Sequence, residues 1–219
     1  SDRIYASVSY VLAAGQEVET LSTNNNAGNA AINLTGNVFN NALIGNLGAD
    51  VLNGGGGVDA MTGLAGNDSY AVDSASDTVI EAVGGGTDRV YASVNYTLAV
   101  GQEIETLSTN NNAGTAAIRL TGNNFANTLI GNAGANLLLG GLGNDTLTGL
   151  NVAADMIQLE NAIFTLLTAT GTLAANLFKD LSLAAQDAND IIIYNRATGD
   201  LFYDTNGVTA GGQTLFADV

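Results

Sequence analysis

Short apolar runs punctuate the first 150 residues at intervals of 9 to 14: Val79-Ile80, Val90-Tyr91, Tyr96 to Leu98, Ile104 to Leu107, Ile118 to Leu120, Leu129-Ile130, Leu138 and Leu147. Gly, Asn, Asp, Ser and Thr fill the intervals. Apolar runs this short, bounded by turn-forming residues, read as β-strands. Helical spacing is missing throughout, so residues 1–150 are predicted to be almost entirely β. From Asn151 the pattern changes. Ala153 to Ala169 suits a helix or a buried segment, whereas Ile191 to Tyr194, a turn at Asn195 to Gly199, and Leu201 to Tyr203 predict a hairpin. Phe164, Phe178, Tyr194, Phe202, Tyr203 and Phe216 gather there, as the core of a small cap would require.

The pattern repeats on two scales. Residues 2–64 and 88–150 are two copies of one unit, identical at 45 of 63 positions, and Glu19 to Gly28 recurs unchanged as Glu105 to Gly114. Within the first copy, Gly36, Gly45, Gly54 and Gly63 stand nine apart, and the last three blocks they lead carry Asp50, Asp59 and Asp68 at the sixth place. An apolar residue follows at the eighth: Leu52, Met61 and Tyr70. Stacked repeats cover one another's open faces, which predicts a parallel solenoid. Two blocks make a coil of 18 residues, with neighbouring coils about 4.8 Å apart. The expected division is a roll over 1–150 and a capping region over 151–219. Because the first copy begins in mid-repeat without a Met, the chain is expected to be part of a longer array.

The formal net charge is −16, with only five basic residues. Nucleic acid and anionic membrane surfaces are therefore disfavoured as partners. Charged residues are nonetheless only 12% of the chain and hydrophobic ones 46%, too apolar for a disordered acidic tail. With no Cys and no His, disulfides, thiolate or imidazole metal sites and His-based triads are all excluded. No apolar stretch is long enough to span a bilayer. No N-terminal secretory signal is visible at Ser1-Asp2-Arg3.

In an 18-residue coil, Asp50 and Asp68 stack on one side, and Asn41, Asp59 and Asp77 on the other. Carboxylates stacked one coil apart repel unless a cation lies between them. An all-oxygen set of carboxylates and turn carbonyls suits calcium, which takes about six to eight such ligands, better than magnesium. In the second copy Asn127 and Asp145 form the equivalent column, and Asn136 replaces Asp50, so weaker sites are expected there. Phe39 and Phe125 replace the fourth-place Gly, and their blocks are expected to pack rather than bind. Asp2 and Asp88 read as turn residues bonding their own backbone. Glu17 and Glu19 face solvent in no recognisable cleft, and no catalytic constellation emerges.

The blocks Gly54 to Thr62 and Gly140 to Thr148, Gly-Gly-x-Gly-x-Asp-x-apolar-x, resemble the nonapeptides of the repeats-in-toxin (RTX, haemolysin-type) calcium-binding proteins. Asn67 to Asp73, Asp77 to Glu81 and Gly84 to Asp88 are similar to the family's inter-block segments, and residues 190–207 to the segment that follows its roll. The resemblance implies a parallel β-roll with Ca2+ between turns one coil apart. One turn would give the carbonyls of its first and third residues and its Asp; the turn a coil later, those of its second and fourth residues and its Asp. One ion would then sit among Gly45, Leu47, Asp50, Leu64, Gly66 and Asp68, a second would use Asp59 with Asp77, and a third Asp59 with Asn41.

The family further implies export by a bacterial type I secretion apparatus and an extracellular location, with calcium-dependent folding in support of export and stability. The alternative is a self-associating surface-layer, filament or adhesin protein at the cell surface. Neither reading makes the chain itself an enzyme, and neither inserts it into a membrane.

Overall fold

The computed structural model describes residues 1–150, 155–157, 178–180, 192–195, 200–204 and 213–218. Most of the segment expected as helical or buried over 153–169 lies outside these residues, as does the hairpin turn at 196–199.

The first copy and its connector contain nine strands: β1 (Arg3–Ala6), β2 (Tyr10–Val11), β3 (Thr20–Thr23), β4 (Asn33–Thr35), β5 (Ala42–Ile44), β6 (Val51–Asn53), β7 (Ala60–Thr62), β8 (Ser69–Val72) and β9 (Thr78–Ile80). There follow β10 (Arg89–Ala92), β11 (Tyr96–Thr97), β12 (Thr106–Thr109), β13 (Arg119–Thr121), β14 (Thr128–Ile130), β15 (Leu137–Leu139), β16 (Thr146–Thr148) and β17 (Met156–Ile157). Each pairs in parallel with the strand two places away, except that β9 and β11 do not pair, giving a five-stranded sheet of β1, β3, β5, β7 and β9 and an eight-stranded sheet of the even strands β2 to β16. A four-stranded sheet of β11, β13, β15 and β17 completes the roll. The winding is that of a parallel β-solenoid. Its last rung lies beyond the expected boundary at residue 150, because Met156 and Ile157 pair with Leu137 and Leu138.

Where nonapeptides run without interruption, two blocks make one coil: Val51 pairs with Ser69, Ala60 with Thr78, and Thr128 with Thr146. Elsewhere the coils are longer, the turns absorb the difference and the strands stay in register. Thr20 pairs with Ala42, and Ser69 with Arg89, in two such lengthened coils.

Strand β1 and its copy β10 lie in different sheets. The unit has nine strands, an odd number, so the second copy begins half a coil out of phase and places each of its elements on the opposite face.

The core is built from one or two inward side chains per strand. In β4 to β7 the middle residue is buried and its two neighbours are not. On one face Leu34, Leu52, Tyr70, Val90, Leu107, Leu129 and Leu147 stack in register. On the other, Leu21, Leu43, Met61 and Val79 do so. Each such side chain contributes roughly 1.5–3 kcal/mol of transfer free energy. Such short strands suffice because the apolar column is continuous along the roll.

The cap contains β18 (Phe178–Asp180), β19 (Ile192–Asn195), β20 (Asp200–Asp204) and β21 (Gln213–Asp218) in one sheet. The antiparallel pair β19–β20 is the predicted hairpin, with Ile193 opposite Phe202. Strand β21 lies beside β16.

Candidate metal centre

Along each face, the residue just before a strand is an oxygen-bearing side chain in nearly every coil, and it reaches back one coil. Asp68 Oδ1 accepts the Asp50 N–H at 2.7 Å, and Asp88 Oδ1 the Asp68 N–H at 2.7 Å. Glu105 Oε2 extends this column to Asp88 N at 2.5 Å. On the opposite face Asp59 Oδ1 accepts from Asn41 N at 2.7 Å and Asp77 Oδ1 from Asp59 N at 3.0 Å. Asp145 repeats the contact to Asn127 N at 2.8 Å. One carboxylate oxygen of each Asp is thus a structural link between coils, and the other is left for a different partner.

That second oxygen decides the chemistry. The Oδ2 atoms of Asp59, Asp68 and Asp88 are buried with no hydrogen-bond partner, and all three residues are 1% exposed. Buried carboxylate oxygens without a partner are costly unless a cation completes them. The three arginines of the roll, Arg3, Arg89 and Arg119, are exposed and supply no counter-charge to the interior.

Asn136 shows which oxygens converge. It stands where the first copy has Asp50, and its Nδ2 donates to the carbonyls of Asn132 (3.0 Å) and Gly134 (2.9 Å) and to Asp155 Oδ1 (3.2 Å). A neutral amide here occupies the place of a cation among the second- and fourth-place carbonyls of its own turn and a carboxylate one coil later. The donor set is all oxygen and fits calcium.

The carbonyl directions divide the ligands differently from the expected pattern. The Gly45 carbonyl points back one coil and accepts from Thr23 Oγ1 at 2.8 Å. A Cβ on Gly66 would strike the Gly48 oxygen, and one on Gly86 the Gly66 oxygen, so fourth-place carbonyls point forward. First-place carbonyls point back: those of Gly54, Gly63, Gly140 and Gly149 lie against Gly36, Gly45, Gly122 and Gly131. Between Asp50 and Asp68, the facing carbonyls are therefore Gly48 from the earlier turn and Gly63 from the later. The second and fourth places also adopt left-handed backbone at Gly55, Gly57 and Gly66, and at Leu64, whose φ is 85°.

The remaining expected residues fall as follows. Leu47 is 47% exposed and its N–H donates to the Gly28 carbonyl. Asp50 Oδ1 accepts from Ile32 N and its Oδ2 from Asn46 N, both at 2.7 Å. Asp77 Oδ2 accepts from the N–H groups of Asp73 and Ser74, so both its oxygens are engaged. Asn41 Oδ1 accepts from Asn37 N, and its amide holds the Val18 carbonyl at 2.6 Å. Phe39, expected to pack, is 37% exposed. Asp88, expected to bond its own backbone, instead gives Oδ1 to the Asp68 N–H and leaves Oδ2 without a partner, and Glu81 joins it: Asp68, Glu81 and Asp88 bring one carboxylate oxygen each within 4.8 Å of one another. The available signal was Gly86-Thr87-Asp88-Arg89-Val90, which keeps the Gly-x-Asp-x-apolar ending at a shifted spacing.

A family model of the RTX calcium-binding nonapeptide repeat matches residues 35–70 and 119–151, four copies in all. These two segments carry RTX repeats. RTX nonapeptides bind Ca2+, so this is a calcium-binding repeat module on a β-solenoid. Comparison with curated proteins and with solved structures returned no match.

Burial drives these carboxylates towards protonation when no cation is present. It raises Asp68 and Glu81 to about 7, with Asp50 and Asp88 adding to the first and Asp88 and Asp68 to the second. Asp59, near Asp77 and Asp73, and Asp88, near Glu105 and Glu103, rise to about 6. A carboxylate raised on folding stabilises the fold below its unfolded value, and that contribution is lost as pH climbs through the folded value. In chelator, the urea midpoint followed by circular dichroism is therefore expected to fall between about pH 5 and about pH 8. A midpoint that rises over this range would contradict the placement of these groups.

Proposed function

We propose that this chain is the calcium-triggered folding module of a bacterial protein exported by a type I apparatus, and that calcium secures its structure outside the cell. The reading rests on the unpartnered buried oxygens of Asp59, Asp68 and Asp88. Without cations, stacked carboxylates repel and the Gly-rich turns carry a large ordering cost. Cation binding and folding are then one event, because the ligands converge only in the wound chain. Calcium modules that work outside cells have dissociation constants of roughly 0.1–1 mM. Cytosolic calcium lies far below this, so the chain stays open for passage and winds on release.

The proposed ligands between neighbouring turns are Asp50 and Asp68 with the carbonyls of Gly48 and Gly63, Asp59 with Asn41 and the Gly54 carbonyl, and Asp59 with Asp77. Asp145 with Asn127 repeats the second set in the later copy. Calcium bound there would neutralise the carboxylates and tie adjacent coils. Asp59 belongs to two intervals, so Asp59→Ala is expected to raise the calcium midpoint of folding several-fold, read by circular dichroism. The same midpoint as the parent chain would remove Asp59 from the ligand set.

A further inference from the structure

In three turns two kinds of oxygen converge on the leading glycine: the turn's own sixth-place side chain and a backbone carbonyl from the next coil. Gly36 meets Asn41 Oδ1 and the Gly54 carbonyl, Gly45 meets Asp50 Oδ2 and the Gly63 carbonyl, and Gly122 meets Asn127 Oδ1 and the Gly140 carbonyl.

Gly63 meets a different set. Asp68 Oδ2 is there as in the other turns, but the other two nearest atoms are Tyr70 Oη and Glu81 Oε2, the latter 2.8 Å from where a Cβ would stand. Because Thr62 pairs with Ile80, the residue that faces Gly63 one coil later is Glu81, where regular turns have a leading glycine. The connector between the two copies lengthens this coil only after Glu81, as the pairing of Ser69 with Arg89 shows. Glu81 is 4% exposed and brings a side-chain oxygen to this position.

From this convergence we infer a divalent-cation site at the seam between the two copies, in which the Glu81 carboxylate joins Asp68 and Asp88. Three lines of geometry carry it. The three carboxylates offer oxygens within 4.8 Å of one another, and all are buried. The Oδ2 atoms of both Asp68 and Asp88 have no partner. Tyr70, fully buried, donates its hydroxyl to Glu81 Oε2 and fixes where that carboxylate points. Among the described residues no cationic side chain competes: Arg89, the nearest in sequence, is exposed and reaches the Tyr91 hydroxyl at 3.1 Å.

Three carboxylates surround this site, whereas an RTX interval ordinarily has two, so the seam is the tightest position in the roll and the first to fill. More negative charge around an oxygen site raises its calcium affinity. Filling it joins the copies on the face where their strands are continuous, since β8 and β10 pair while β9 and β11 belong to separate sheets. The seam site thus couples the winding of one copy to the other.

The proposal rests on the calcium reading above, and its test separates the two. The full chain is titrated with terbium, a calcium mimic whose emission is sensitised by nearby tyrosine, while equilibrium dialysis counts bound ions. The parent chain is expected to fill its earliest site with strong emission through Tyr70. E81Q keeps the shape and an acceptor for the Tyr70 hydroxyl; it is expected to weaken this first phase at least tenfold and leave the later ions in place. Y70F is expected to keep the ion count and lose most of the first-phase emission, and it carries the test if E81Q fails to wind. An unchanged first phase in E81Q, or unchanged emission in Y70F, overturns the seam site alone. A parent chain that binds no ions overturns the calcium reading as well.

Discussion

Alanine at Gly63 is expected to destabilise the calcium-loaded roll by about 3 kcal/mol, the upper part of the usual range for overpacking a filled interior. The glycine is buried, and a Cβ there would overlap Tyr70 Oη and Asp68 Oδ2 and crowd Glu81 Oε2. None of these can swing into solvent: Asp68 is tied to the coil before it through the Asp50 N–H, and Tyr70 stacks between Leu52 and Val90 in the apolar column. The strand after the turn would have to shift, and with it the register of β8. Gly56→Ala is the matched control. A Cβ at Gly56 meets only the Val38 Cα at 3.7 Å, and its φ is not in the left-handed region. That change is expected to be neutral or to stabilise by about 0.5 kcal/mol through the unfolded chain. Urea denaturation of both variants in saturating calcium checks the contrast. Equal losses would mean that the convergence of oxygens on Gly63 does not constrain the fold.

Much of this architecture is legible in the residue pattern, for a simple physical reason. A nonapeptide with one apolar place and one leading glycine allows one inward side chain and one turn, so Leu52, Met61 and Tyr70 announce both the strand centres and the two-block coil. The β19–β20 hairpin is equally plain, because Ile191 to Tyr194 and Leu201 to Tyr203 flank a polar turn. What the pattern hides lies in the segments without nonapeptides. Between Glu19 and Asn41, and between Asp68 and Asp88, the turns change length while the strands stay paired, so spacing alone no longer says which side chains stack. Asp88 and Glu105 therefore join the Asp50–Asp68 column without the regular two-block spacing. The half-coil phase shift of the second copy depends on counting nine strands, including the short β2 and β9. Leu64 is left-handed at the place where Gly55 and Gly141 are, and carries no mark of it in its side chain.

The largest effect expected of any treatment is that of removing calcium. Several buried carboxylates would then face one another at neutral pH with no counter-charge, and each ion lost withdraws a contribution of about 2.7 kcal/mol at 100-fold excess over its dissociation constant. Two or three such ions amount to most of the roughly 5–15 kcal/mol of net stability typical of folded domains. The decisive measurement is far-ultraviolet circular dichroism of the full chain at about pH 8, above the folded-state values of its buried acids, first in EDTA and then through a calcium titration. The β-sheet signal of the roll should be absent in EDTA and return cooperatively with calcium. A full β spectrum and an undiminished urea midpoint in EDTA would show that the coils hold together without ions between them, and would contradict the account.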